Sequence, residues 1–437
     1  MTLKSRSPGQ QGGLDMNGQG VVAFSQPVDT TQWLHNFIRD LDAKKPSYLA
    51  SYHPAVLQLK ELIESKAQLR MWASAMFEEV PNKVPYNNIN GTEPPKSDVR
   101  GYEHMIELFN VIVAEVAPTY TISVKGLGLM GLPFQAILDW PMGTPSGHSF
   151  FLDAQVNTMI KKILDTWRDD VLKTTKSRSV ITTAPGHWLC PAALTAIEKD
   201  TNLDPNRWYT FQQLFECDPH ADPIHLGFKS WDSFFARRFR DIDRLRPIGF
   251  PDQSAWVINS CESMPVAIKS DVKEVDKFWL KEADYSVSEM LNHHEWAKHF
   301  VGGTVHQSVL RTTSYHRWSA PVSGRVVHAA VIGGTYFSER STNGLDSDPP
   351  FPPTYNLVYM SHLATRALIF IQGDDPVGLM CFVAIGIADV STCEISPKFT
   401  KNLPQRITKG EELDAQGRAN GAAAEKAVGA ELMHDGA

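Results

Sequence analysis

Residues 314–321 read Ser-Tyr-His-Arg-Trp-Ser-Ala-Pro and run into a Val-Ser-Gly turn at 322–324. They set an imidazole, His316, between a phenol and a guanidinium just ahead of a chain reversal. Imidazole is the side chain whose ordinary titration falls nearest neutrality, so His316 is a candidate to hold or return a proton. A histidine at a strand tip also serves as a plain polar residue, and the residues around it must decide. Glu262 is the second candidate. It lies in Ser260-Cys261-Glu262-Ser263, directly after the strand-like run Ala-Trp-Val-Ile-Asn at 255–259. Its carboxylate gains chemical meaning only if the fold carries it to His316.

Other clusters carry less. In Asn-His-His-Glu-Trp-Ala-Lys-His-Phe (292–300), His294 and His299 are five residues apart. On a helix that is about 140° of rotation, so the two do not share a metal-binding face; a surface helix with several histidines is expected. Cys-Asp-Pro-His-Ala-Asp-Pro-Ile-His (217–225) is a proline-broken loop, expected to be a turn with aspartate caps. The Gly-Leu-Gly at 127–129 lacks the spacing of a nucleotide-binding loop. No metal and no nucleotide are expected.

Composition narrows the function further. The 437 residues carry a formal net charge of −7, with 42% hydrophobic and 21% charged side chains. No basic stripe suits a nucleic acid or an anionic lipid surface. Five widely spaced cysteines, with no Cys-x-x-Cys, fit reduced thiols in the cytoplasm. The longest apolar run, 377–387, is shorter than the roughly 20 residues a membrane span needs.

The pattern that must position these residues changes along the chain. Residues 1–27 are rich in Gly, Gln and Ser and are expected to be disordered. Helical spacing follows. Trp33, Leu34, Phe37, Ile38 and Leu41 form one stripe behind a cap at Asp29 or Thr30. Val56, Leu59, Leu62 and Ile63 form another behind Pro54, and Met105, Leu108, Phe109 and Ile112 a third. The strongest runs from Phe150 to Leu172 as one helix. Residues 28–204 are therefore read as a helical domain and 205–413 as a mainly β domain. The latter opens with an amphipathic helix over 227–240 that faces Trp231, Phe234, Phe235 and Phe239 inward. Its expected strands include 325–332, 355–360, 366–372 and 377–387, and its prolines make 345–354 a loop. Residues 414–437, an Ala/Gly/Glu-rich stretch, are expected to stay outside the β core, at most as a fraying helix. The fold class is α+β, with antiparallel strands dominating the second part.

Several of these segments resemble, in order, motifs of the phosphatidylserine decarboxylase family. Among its members the chain is most similar to the fungal soluble branch that includes the tryptophan decarboxylase of psilocybin biosynthesis. GFKSWDSFFARRFR…RPI resembles the family's F-x-x-F-F-x-R entry segment, and YHRWSAPVSG its Y-H-R-x-H-x-P-x-x-G core. IGGTYF, FVAIGIADVSTCEI and ITKGEEL resemble the later strands and the Lys-Gly-x-Glu-Leu turn. GLPFQAILDWPMGTPSG and KKILDTW are similar to the extra N-terminal domain of the fungal branch. The similarity covers residues 30–413.

The resemblance implies a decarboxylase that builds a covalent pyruvoyl group by cleaving itself at a Gly-Ser bond. Its substrate would be an amine-bearing carboxylate, an amino acid such as tryptophan; a phospholipid is the alternative. It implies His316 as the imidazole that returns a proton after CO₂ leaves. Glu262 stands where the family usually has an aspartate that supports self-cleavage. Two departures oppose this. Ser319 takes the place of the family's second histidine, and a serine is no base at neutral pH. The chain also contains no Gly-Ser dipeptide, and its Gly-Thr pairs at 91, 143, 303 and 334 lie elsewhere. As written, the chain is not expected to make the cofactor. Either its C-terminal segment is damaged, or it is a degenerate, non-catalytic homologue.

Overall fold

The computed structural model describes residues 28–43, 51–81, 96–120, 132–276, 285–339, 353–414 and 429–433. The expected disorder at 1–27 and most of the expected loop at 345–354 lie outside these residues, as does the Gly-Leu-Gly at 127–129.

The fold is α+β. Helices dominate from Val28–Ala43 to Trp231–Phe235, and seven strands follow: β1 (Met264–Lys269), β2 (Thr304–Val309), β3 (Gly324–Ile332), β4 (Arg366–Gly373), β5 (Leu379–Ile385), β6 (Gln405–Ile407) and β7 (Gly429–Met433). They form one sheet in the order β1-β2-β7-β5-β4-β3-β6, antiparallel at every pairing. Alternation along β4 and β5 splits the sheet's two faces. Leu368, Phe370, Cys381, Val383 and Ile385 join a core shared with the helices. Ala367, Ile369, Ile371, Met380, Phe382 and Ala384 join a second core with Trp318, Ala320, Val322, Phe399 and Leu413.

Polar contacts fix the helical layer against the sheet side. The Asp389 carboxylate accepts from the Phe134 and Gln135 N–H groups at 2.9 and 2.8 Å, capping the helix Pro133–Leu138 from a distant segment. Buried Ser177 accepts the Trp231 N–H at 2.8 Å and so seats the helix Trp231–Phe235.

Several sequence expectations change. The periodic stretch 150–172 is not one helix. Asp153 Oδ1 accepts from the N–H groups of Gln155 and Val156, which starts a new helix, Ala154–Trp167, and a π-turn closes it at Arg168–Leu172. The first helix begins at Val28, so Asp29 and Thr30 lie inside it. Residues 355–360 are helical, within Pro353–Leu363. Leu357 to His362 are all buried, so no polar face marks the helical period, and β-branched and aromatic content misdirects the reading. The run 255–259 forms no strand; β1 begins later, at Met264. The amphipathic helix expected over 227–240 is helical only at Trp231–Phe235, although its four aromatics are buried as expected. The histidine-rich 292–300 is not a surface helix. Asn292 and His293 adopt positive φ of 53° and 54°, and His294 packs at 4.6 Å on Phe370 and 4.7 Å on His328. The C-terminal stretch is not outside the β core either, since residues 429–433 lie between β2 and β5.

Candidate active site

His316 lies in the loop between β2 and β3. Every residue from Thr312 to Trp318 is buried, and His316 is only 2% exposed. Its Nε2–H donates to the Thr312 carbonyl at 2.8 Å, which puts the neutral ring's lone pair on Nδ1. The Phe235 ring stacks on the imidazole at 4.0 Å, and Tyr315 packs on Phe239 at 4.2 Å. The aromatic stripe of residues 231–239 is thus the bed on which the Tyr-His-Arg run lies.

Two arginines, Arg237 and Arg311, pin that loop, and a third, Arg246, ties residues 201 and 262 to each other. Arg237 Nη2 donates to the carbonyls of Thr313 and Ser314 at 2.6 and 3.0 Å, with its guanidinium over the Phe215 ring at 4.4 Å. Burial pulls Arg237 down to about 10, which still leaves it charged at neutral pH. Arg311 Nη1 donates to Asp200 at 2.8 Å, and the Thr313 hydroxyl bonds the same carboxylate. Arg246 donates to the Thr201 carbonyl at 2.6 Å and pairs with Glu262. A loop held at the Thr313 and Ser314 carbonyls, and through Arg311 and Thr313 at Asp200, keeps its side chains in one arrangement.

Residues 318–320 run between two distant segments. On one side Ser319 N–H donates to the Ser260 carbonyl at 2.8 Å, with Ser319 Oγ 3.4 Å from the same oxygen. On the other, Ala320 N–H reaches the Glu411 carbonyl at 2.8 Å and Leu413 N–H the Trp318 carbonyl at 2.9 Å. The fold therefore gathers the Ser-Cys-Glu-Ser, Tyr-His-Arg and Lys-Gly-Glu-Glu-Leu segments at one place.

Glu262 comes to this corner with one carboxylate oxygen engaged by an arginine. Its Oε1 pairs with Arg246, and its Oε2 makes no hydrogen bond among the described residues. Burial raises its pKa, against the pull of Arg246 and then Arg237. On the far side Arg317 is 7% exposed. It donates to the Ala236 carbonyl at 3.0 Å, pairs with Glu412 and lies 3.6 Å from Asp414. Burial raises the Asp414 carboxyl, which Arg317 opposes. Asp232 is 0% exposed, and neither of its oxygens has a hydrogen-bond partner among the described residues; burial pushes it up to about 8.

Sequence reasoning singled out His316, Glu262 and Ser319 but missed Arg237, Arg246, Arg317 and Asp232. The Arg-Arg-Phe-Arg run at 237–240 was the available signal, since a cation inside an aromatic stripe must find carbonyl or carboxylate partners when the stripe is buried.

A β-dominated second half rests on a helical layer and carries a buried Tyr-His-Arg loop on an aromatic bed, an α+β scaffold with an enclosed imidazole. Comparison with known sequences gives its family: two phosphatidylserine decarboxylase family models match residues 53–197 and 231–414, and the chain belongs to that family. Decarboxylase iboD of Amanita muscaria is 34% identical over 293 residues, which is 65% of this chain and 80% of that protein. L-tryptophan decarboxylase of Psilocybe cubensis is 34% identical over 327 residues, 72% of this chain and 70% of that protein. A shorter match, 30% over 79 residues, is to phosphatidylserine decarboxylase proenzyme 3 of Schizosaccharomyces pombe.

The family is pyruvoyl-dependent. The residues here do not fit a pyruvoyl group made in the family's way. The position after the Lys-Gly-Glu-Glu-Leu turn is occupied by the buried carboxyl of Asp414, tied to Arg317, and no serine follows Ser396 in the 437 residues. No described helix is long and apolar enough to cross a membrane.

Proposed function

We propose that this chain is an amino-acid decarboxylase of the phosphatidylserine decarboxylase family, acting on an aromatic amino acid such as tryptophan. The observation that carries the reading is the His316 loop. A buried imidazole with one fixed nitrogen, stacked on Phe235, suits the return of a proton to the carbon that loses CO₂. Similarity to L-tryptophan decarboxylase and decarboxylase iboD over most of the chain supports an amino acid over a phospholipid, for which the matching relative aligns over only 18% of the chain.

His316 is the proposed proton-holding catalytic residue. Ser319 and Glu262 are proposed to have no part in proton relay, because Glu262 is engaged by Arg246. No step is assigned to a self-made ketone. A second reading, a non-catalytic homologue that keeps the fold and binds an amine-bearing carboxylate, rests on Ser319 and on the lack of any serine after 396. The deciding experiment incubates the purified 437-residue protein with carboxyl-labelled L-tryptophan and, separately, with carboxyl-labelled phosphatidylserine, and counts released CO₂. Phenylhydrazine labelling followed by intact mass reports any protein-bound carbonyl. Release from tryptophan that His316→Asn abolishes is the expected result. Release from phosphatidylserine alone overturns the substrate class. No release from either, with tryptophan still bound in calorimetry, establishes the second reading.

A further inference from the structure

The last strand in the chain is not at an edge of the sheet. β7 lies between β2 and β5 and pairs antiparallel with both. Without it the sheet would separate into β1-β2 and β5-β4-β3-β6, each with a bare strand edge. The segment filling the place, Gly-Ala-Glu-Leu-Met, has no β-branched or aromatic residue, and Gly, Ala and Glu are all depleted in strands. Its own propensity does not account for its being a strand; the two flanking strands do.

The register shows what those flanks require. Position 432 stands opposite Val305 and Cys381, and position 430 opposite Gln307 and Val383. All four neighbours are 0% exposed, three of them in the core shared with the helices. Position 431 stands opposite Phe382, which is fully buried in the second core, and His306. An occupant buried on both faces should be a continuous apolar run. The chain instead places a glutamate at the position facing Phe382.

We propose that the gap between β2 and β5 is a strand-acceptor site that takes an extended, apolar, β-branched peptide segment in trans in place of residues 429–433. Main-chain pairing to β2 and β5 supplies the affinity. Alternate apolar side chains entering the two cores supply the selectivity. The resident segment is a poor match, so it opens at low cost and gives way.

Two fluorescent peptides test this: residues 426–436 of the chain, and the same peptide with Ala430→Val and Glu431→Val. Anisotropy is read with the full-length chain and with a full-length Leu432→Cys variant refolded under a glutathione couple. Cross-strand Cα spacing in an antiparallel pair falls within disulfide range, so position 432 should bridge to Cys381 and lock the resident strand. The valine peptide is expected to bind the unlocked chain about tenfold more tightly than the native-sequence peptide. The locked variant should bind neither until it is reduced. A chain ending at Asp414 should bind both peptides more tightly than the full chain, because the tethered competitor, present at an effective concentration of order mM, is gone. If that shortened chain folds only when refolded with peptide, the proposal is supported equally. Equal affinity of the two peptides, binding undiminished by the lock, or failure of the 432–381 bridge to form would each overturn it. So would a shortened chain that folds without binding either peptide, or that neither folds nor binds while the full chain also binds nothing.

Discussion

The two sides of the segment 318–320 solve the same problem differently. Toward residues 260–262 there is one acid for one arginine, Glu262 on Arg246, and the Glu262 side chain keeps 14% of its surface exposed. Toward residues 411–414 the deeply buried Arg317 faces Glu412 and Asp414, while Arg238 holds the second Glu412 oxygen at 3.3 Å. The first side is a local ion pair in which the second carboxylate oxygen is buried with no hydrogen bond among the described residues. On the second side Glu412 is held by two arginines, while burial raises the Asp414 carboxyl, and that of Asp232, toward the protonated form. A buried acid whose desolvation outweighs the pull of its cations does not become a base for a neighbour; it becomes neutral.

Removing each arginine tests that difference most strongly. Arg317→Met leaves Asp414 without its arginine and Glu412 with Arg238 alone, and is expected to cost about 3–5 kcal/mol in urea unfolding at pH 7. Arg246→Met leaves only Glu262, which can take up a proton or reach water, and should cost roughly half as much. Asp414→Asn should recover part of the Arg317→Met loss and none of the Arg246→Met loss. Equal costs for the two arginine variants would erase the distinction.

The pH dependence of stability sharpens it, because acids and histidines act with opposite sign. His362 is 5% exposed, accepts the Ser286 N–H at Nε2 and bonds the Val358 carbonyl through Nδ1. Burial lowers it to about 4 from an ordinary 6.5. The unfolded chain therefore binds a proton below pH 6.5 that the folded chain refuses until about pH 4. Stability is fully present above 6.5 and falls as pH drops across that window, by about 3 kcal/mol at the lower end. Comparing unfolding at pH 7.5 and 4.5 should show this loss in the parent chain. In His362→Gln the loss should be smaller, though that variant starts less stable.

Asp232 runs the other way. Its folded value, about 8, lies above the unfolded 3.8. Its contribution is fully present below pH 3.8 and lost as pH rises toward 8. Asp232→Asn, which cannot ionise, should be more stable than the parent by about 2 kcal/mol at pH 8, with a clearly smaller gain at pH 5. A gain that does not grow with pH would mean that Asp232 is ionised in the folded protein and compensated.

These contrasts bear on what could be read from the residues alone. The inward-facing aromatics of 231–239 and the strands β3, β4 and β5 are local patterns legible in the sequence, whereas the seating of the His316 loop on those aromatics is a tertiary contact that left no trace there. The helix at 353–363 was not legible, because burial of every residue from Leu357 to His362 leaves no polar face there to mark a period. Neither was β7, whose strand state comes from β2 and β5 rather than from its own residues. The role of Glu262 depended on a partner sixteen residues away in sequence, Arg246, whose side chain could equally have faced water. Ion pairing across loops leaves no periodic trace, so it is the part of a site that residue types and spacing convey least.

Ser319 lies on the seam between the two sides and gives the smallest test. It is half-buried, its backbone is held by the Ser260 carbonyl, and its hydroxyl is only weakly engaged. An imidazole placed there would need a carboxylate to orient it, and the nearer candidate by chain position, Glu262, is already taken by Arg246. Ser319→His alone should therefore cost about 1 kcal/mol through crowding in a packed corner. The added imidazole should show an ordinary histidine titration by NMR. Combined with Arg246→Met, the same substitution should lose less than the two single costs summed, because the freed Glu262 can accept the imidazole N–H, and the imidazole titration should move upward. Strict additivity would show that Glu262 does not reach position 319 even when released, and that the two sides of the seam are independent.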